Sequence, residues 1–149
     1  MKDSAEEVIE ELLKSTKLNF HRGSDDSFLY SRIPFGIPSL DKLTGGGIPK
    51  KRMTILYGPT NVGKSYLASQ IVVNAQKAGG TAAWIDTELS WDSNWYEKCG
   101  VDVTNTLVSQ PVNGEEAMDM VKELMQMGID VIVLDSIAGL VPTVVAEEE

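Results

Sequence analysis

A chain of 149 residues, 42% hydrophobic and 23% charged with a net charge of −9, suits one globular domain and excludes disorder along its whole length. The charge is uneven: residues 1–64 hold 10 basic and 8 acidic groups, net +2, while residues 65–149 hold 3 and 14, net −11. A globally basic nucleic-acid binder is thereby excluded, no apolar run approaches the ~20 residues of a membrane span, and the one cysteine, Cys99, can form no internal disulfide and is expected as a small buried residue.

The first twenty residues are charged and lack the apolar stretch of a secretory signal, which points to a cytoplasmic protein. Ser4 with Glu7 three positions on reads as a capping box, and Val8, Ile9, Leu12 and Leu13 form one apolar stripe, so a helix is expected over 4–16. The polar stretch 17–26 reads as a linker. It divides the chain into a helix and linker, 1–26, and a core, 27–149. Pro34, Gly36, Pro38 and the glycines at 45–47 break the next stretch into a short strand and a short helix near 39–43. Lys50, Lys51 and Arg52 form the one basic run, expected as a solvated loop. Residues 53–57 lean apolar throughout and are expected as a buried strand, bounded by Gly58 and Pro59.

A helix over 64–78, closed by Gly79 and Gly80, follows. Then come a strand at 82–86, a short helix at 93–99 and a weaker strand at 106–109. Asn113 caps a further helix with Glu116 at its third position. The inner face of that helix is expected to be Ala117, Met118, Val121, Leu124 and Met125, the methionines filling core space. Gly128 ends it, and 130–134 is the last strand. No internal repeat is visible, and the only low-complexity tract is 147–149. Strands alternating with helices predict an α/β fold with a parallel sheet and right-handed crossovers.

Between the run 53–57 and the helix, Gly58-Pro59-Thr60-Asn61-Val62-Gly63-Lys64-Ser65 fits the phosphate-loop (Walker A) pattern G-x-x-x-x-G-K-[ST] in full. Glycines allow positive φ, so backbone N–H groups can turn inward around phosphate oxygens, and the helix that starts there presents its positive end to the same anion. Lys64 would reach the β- and γ-phosphates, and the Ser65 hydroxyl would enter a Mg²⁺ shell. The nucleotide-binding stretch runs on to Tyr66.

In a parallel sheet, ligands bind beyond the carboxyl ends of the strands, and acidic residues fall there. Asp135 ends the apolar run 131–134, at the usual place of a second metal-holding carboxylate; its plainer role is to cap the helix that follows. Glu88, two residues beyond Asp86, is the candidate base for a water attacking a γ-phosphate, although spacing alone does not choose it over Asp86, and either carboxylate serves equally to hold a loop. Asp92 and Trp95 stand one turn apart. They read either as a helix cap with an inward-packed indole, or as an adenine site in which Trp95 stacks and Asp92 accepts from the amino group. Trp84, Trp91 and His21 are read as packing or surface residues.

In order and spacing, Gly36-Ile37-Pro38-Ser39-Leu40-Asp41, Gly45-Gly46-Gly47-Ile48-Pro49, the phosphate loop, Ile85-Asp86-Thr87-Glu88 and the run 131–136 resemble the RecA/RadA recombinase family. The stretch from Asp92 to Gly100-Val101-Asp102, and Ser109-Gln110-Pro111 to Glu115, resembles its bacterial and phage members more closely. The resemblance covers about residues 28–149. It implies a RecA-like P-loop NTPase fold and a DNA-dependent ATPase that forms a filament on single-stranded DNA and exchanges homologous strands. Glu88 would activate water, Ser65 and Asp135 would hold Mg²⁺, and Asp92 and Trp95 would contact the adenine of ATP. Trp95 stands where the bacterial family usually has tyrosine, a change that keeps stacking and loses a phenolic hydrogen bond. The amino-terminal helix resembles the family's element that packs on a neighbouring subunit, which implies a homo-oligomer. The family's DNA loops, and the basic residues that complete a neighbour's ATP site, follow the strand carrying Asp135. The chain ends at Glu149, where the first such loop would begin, so the core is expected to be truncated and hydrolysis slow. The alternative is a non-catalytic RecA-fold nucleotide-binding regulator or scaffold of recombination.

Overall fold

A computed structural model of the chain describes residues 4–15 and 19–140. The end of the first helix at Thr16, the start of the linker at Lys17 and the acidic tract 147–149 lie outside the described residues. Contacts divide the chain into two compact units, 1–31 and 32–149.

In the first unit, α1 (Ala5–Lys14) begins with the capping box: the Glu7 N–H donates to Ser4 Oγ, and the Ser4 N–H donates to Glu7 Oε2 at 2.8 Å. Its stripe Val8, Ile9 and Leu12 is 40–45% exposed.

The second unit starts with a short antiparallel pair, β1 (Arg32–Ile33) and β2 (Ile48–Pro49), with α2 (Pro38–Leu43) between them. Then follow α3 (Lys64–Lys77), β3 (Ala82–Asp86), α4 (Ser93–Lys98), β4 (Thr106–Ser109), α5 (Gly114–Met127) and β5 (Val131–Asp135). The last three strands form a parallel sheet in the order β4-β3-β5, as the alternation of strands and helices requires. β3 is central and buried at all five positions. Its Trp84 packs against Tyr96 of α4 and Trp91, and joins the core that α3 builds from Ala68, Ile71, Val72 and Ala75 at helical spacing. Among the described residues no helix is long and apolar enough to cross a membrane.

Three expectations are corrected. Residues 53–57 form no strand: Met53, Ile55 and Tyr57 are 62–92% exposed, and only Leu56 packs on the core. An apolar run becomes a strand only when a neighbour accepts its hydrogen bonds, and no described strand pairs with this one. The inner face of α5 is also narrower than its pattern. Ala117 is fully buried and Met120, Val121 and Leu124 are half-buried, but Met118 and Met125 are exposed and fill no core. At ~100° per residue, those two methionines sit roughly 80–100° around the helix from Ala117, beyond the reach of the sheet. Cys99 is likewise half-buried, and its carbonyl accepts from Gln70 Nε2.

Candidate functional site

The turn into α3 has the backbone that its sequence demands. Gly58 and Gly63 take φ of +155° and +90°, and Asn61 between them takes +61°. Gly63 is the left-handed residue immediately before the helix, where a side chain would be strained. Among the described residues no side chain caps the first-turn N–H groups of α3, so they remain donors at the positive end of a 14-residue helix. Lys64 curls back over the loop, its ammonium donating to Pro59 O at 2.7 Å and to Gly58 O at 3.2 Å. Ser65 is half-buried beside it, while Pro59, Thr60, Asn61, Val62 and Tyr66 are exposed. This donor set suits a polyphosphate: uncapped amides, one ammonium and one hydroxyl, with no carboxylate among residues 58–66.

At the carboxyl ends of the sheet, Asp86 and Asp135 occupy the same rung of the β3–β5 ladder. Their surroundings separate the two acidic candidates on β3. Asp86 is wholly buried and accepts from the Trp91 N–H and Gln110 Nε2 (both 2.8 Å) and from Ser90 Oγ. Burial alone would raise its carboxyl, but these donations outweigh that effect and hold it below the ordinary carboxylate range. Asp86 therefore spends its lone pairs closing the loop after β3. Leu89 assists by taking φ of +54°, which turns the chain back just beyond Glu88. Glu88 is exposed and, among the described residues, is hydrogen-bonded on one oxygen, accepting from Ser136 Oγ at 2.6 Å.

Asp135 is half-buried, and the short turn that follows (Ile137–Gly139) is preceded by Ser136 with no side-chain cap, so Asp135 does not serve as a helix cap. Beneath this edge lies Tyr96, stacked on Trp91 with ring centroids 4.1 Å apart. Burial, together with the charges of Asp135 and Asp86, pushes its phenol up, so it stays neutral. Asp92 does cap α4: its Oδ1 accepts from the Asn94 N–H at 2.9 Å and the Trp95 N–H at 3.4 Å. Trp95 does not pack inward; it is 54% exposed.

The structure thus gathers Glu88, Ser136 and Asp135 at the end of the β3–β5 seam, and Lys64 with Gly58 and Pro59 at the start of α3. No hydrogen bond or ion pair among the described residues joins the two groups, nor either group to Asp92 or Trp95. Among the described residues no cluster of three or more His, Cys, Asp or Glu side chains is grouped for a metal. Sequence reasoning missed Ser136 as the donor to Glu88, and Ser90 and Gln110 as the anchors of Asp86. Gln110 lies 24 positions from its partner and Ser136 lies 48 from its own, so no local spacing reveals them.

Comparison with known proteins places these features in a family. The RecA N-terminal domain model matches residues 7–149. Proteins named Protein RecA are similar to this chain: 47% identical over 119 residues in Cytophaga hutchinsonii, 48% over 119 in Bifidobacterium breve and 44% over 118 in Gloeothece citriformis. Each match covers 78% of this chain and 34%, 30% and 33% of the respective relative. The chain therefore spans about a third of the length of the curated relatives it matches.

Proposed function

Since this chain belongs to the RecA family, we propose that it is the ATP-binding portion of a RecA-like, DNA-dependent recombinase ATPase. The observation that carries this reading is the start of α3, where left-handed Gly63, uncapped first-turn amides and the Lys64 ammonium converge on one loop. On arrival of ATP, Lys64 exchanges its two carbonyl acceptors for β- and γ-phosphate oxygens, a stronger pairing because the acceptor is charged. The N–H groups of the loop and first turn take the remaining phosphate oxygens. The Ser65 hydroxyl and an Asp135 carboxylate oxygen would hold Mg²⁺, an ion that needs only one or two protein ligands beside water and substrate phosphate. The ion's contribution is to neutralise charge on the β- and γ-phosphates.

Glu88 acts as the base: it orients a water toward the γ-phosphorus and accepts its proton as the bond to the β-phosphate oxygen breaks. Its exposure and its single hydrogen bond among the described residues leave lone pairs for that water, which Asp86 cannot offer. Asp92 spends Oδ1 on the α4 cap and keeps Oδ2 to accept from the adenine amino group, with the exposed Trp95 indole as the stacking surface. The same reading extends to a cytoplasmic protein whose amino-terminal helix and linker, 1–26, are an oligomerisation element. Its partners are single-stranded DNA and further copies of the chain.

The test is ATP–Mg²⁺ binding and turnover, with and without single-stranded DNA, in the parent chain, Lys64→Ala and Glu88→Gln. The recombinase reading expects DNA-stimulated turnover that both substitutions abolish, with ATP binding kept in Glu88→Gln. Tight binding without turnover under any condition would support the non-catalytic regulator instead. Binding by Lys64→Ala as tight as that of the parent would overturn the phosphate site itself.

A further inference from the structure

Thr87 stands between Asp86 and Glu88, and nothing in the chemistry above uses it. Its N–H donates to Asp135 O at 2.9 Å, adding a rung to the β3–β5 ladder beyond the Asp86–Asp135 pair. Its hydroxyl then continues the ladder where the backbone cannot, donating to Ser136 O at 2.7 Å and accepting from the Ser136 N–H at 2.8 Å. One side chain thus holds both backbone polar groups of residue 136. Ser136 in turn presents its own hydroxyl to Glu88. Gly139 closes the far side: a Cβ there would stand 2.5 Å from Thr87 Oγ1 and 3.0 Å from Thr87 O, so the turn packs directly on the threonine.

We infer that Thr87 is a positioning residue which, by fixing Ser136 with its hydroxyl, sets the Glu88 carboxylate relative to Asp135. The inference rests on the hydrolytic role proposed for Glu88 and names what aligns it. An exposed glutamate has three free torsions, whereas a water-activating base must be held within hydrogen-bond tolerance of its target. Among the described residues the Ser136 hydroxyl supplies the hydrogen-bond restraint on Glu88, and Thr87 places that hydroxyl. Valine is close to isosteric with threonine but can neither donate nor accept. Serine can do both.

The experiment uses the whole chain carrying Thr87→Val, Thr87→Ser or Ser136→Ala, with folding checked by circular dichroism. The first readout is the ¹³C carboxyl resonance of Glu88, assigned by its loss in Glu88→Gln. Thr87→Val and Ser136→Ala are expected to move it to a common new position, while Thr87→Ser leaves it near that of the parent. The second readout is ATP turnover: kcat is expected to fall about tenfold in Thr87→Val with KM within about twofold, and Thr87→Ser to restore kcat within about threefold. A folded Thr87→Val with an unmoved Glu88 resonance, or with parental kcat, overturns the inference. Should Thr87→Val fail to fold, Ser136→Ala with unchanged resonance and kcat overturns it equally. A parent chain that binds ATP without turnover would instead sink the hydrolytic reading, and the carboxyl resonance would still decide whether Thr87 aligns Glu88.

Discussion

Around Asp86 and Thr87 the hydrogen bonds run from strand to strand and from strand to loop, whereas the loop 58–65 is closed by the Lys64 ammonium on two of its own carbonyls. The carboxylate edge is therefore fixed by the fold before any ligand arrives. The phosphate loop is a charge resting on replaceable acceptors. A nucleotide has to rearrange the second region and only has to meet the first. The difference also separates stability from function: a bond whose loss leaves a buried group unpaired costs folding energy, while a bond that ligand displaces costs affinity.

Substitutions on the two sides should fail in different ways. Lys64→Ala removes the phosphate-directed charge without opening the core, and ATP–Mg²⁺ affinity is expected to fall about 150-fold, about 3 kcal/mol, by calorimetric titration with little change in melting temperature. A parental Kd would erase the contrast. Glu88→Gln removes the base from an exposed position. Turnover should drop about 100-fold with Kd within about threefold, as single-turnover kinetics beside equilibrium binding would report.

Asp86→Asn should act on the opposite quantity, lowering unfolding free energy by roughly 1–3 kcal/mol because Trp91, Ser90 and Gln110 lose a charged acceptor. Its pH signature has a definite sign. The folded carboxyl lies below its ordinary value, so its stabilisation is present above about pH 4, where the unfolded chain is already ionised, and is lost as pH falls through the folded value. Denaturant melts of the parent should weaken on acidification below about pH 4, and the part due to Asp86 should vanish in Asp86→Asn. Trp95→Ala is expected to have the smallest effect, a loss of about fivefold in ATP affinity with Trp95→Phe near the parent, measured by calorimetric titration.

How much of this was legible beforehand depended on the distance over which each feature is decided. The helix starts at Ser4 and Asn113 and the ends at Gly79 and Gly128 follow from a cap and a handful of neighbours, and they stand where the sequence puts them. β3 and β4 match the apolar runs residue for residue because both find parallel partners. The run 53–57 carries the same apolar pattern and fails as a strand, since pairing is a property of two segments and the described sheet supplies no second one. The α5 methionines fail for a related reason: periodicity locates the centre of an apolar stripe, but how wide a face is covered depends on what packs against it.

By itself the sequence determined the phosphate loop and its charge, the alternation that makes the sheet parallel, and the presence of Asp86, Glu88, Asp92 and Asp135 at or beyond strand ends. These are matters of residue type and short spacing. Only the tertiary structure decided which carboxylate is enclosed and which is free, that Asp92 caps α4 while Trp95 stays in solvent, and that Thr87 and Ser136 stand between the two strand ends. Beyond the local Ser90 and Trp91 donors to Asp86, enclosure and alignment are set by groups 24 to 49 residues apart that meet only when β3, β4 and β5 lie side by side.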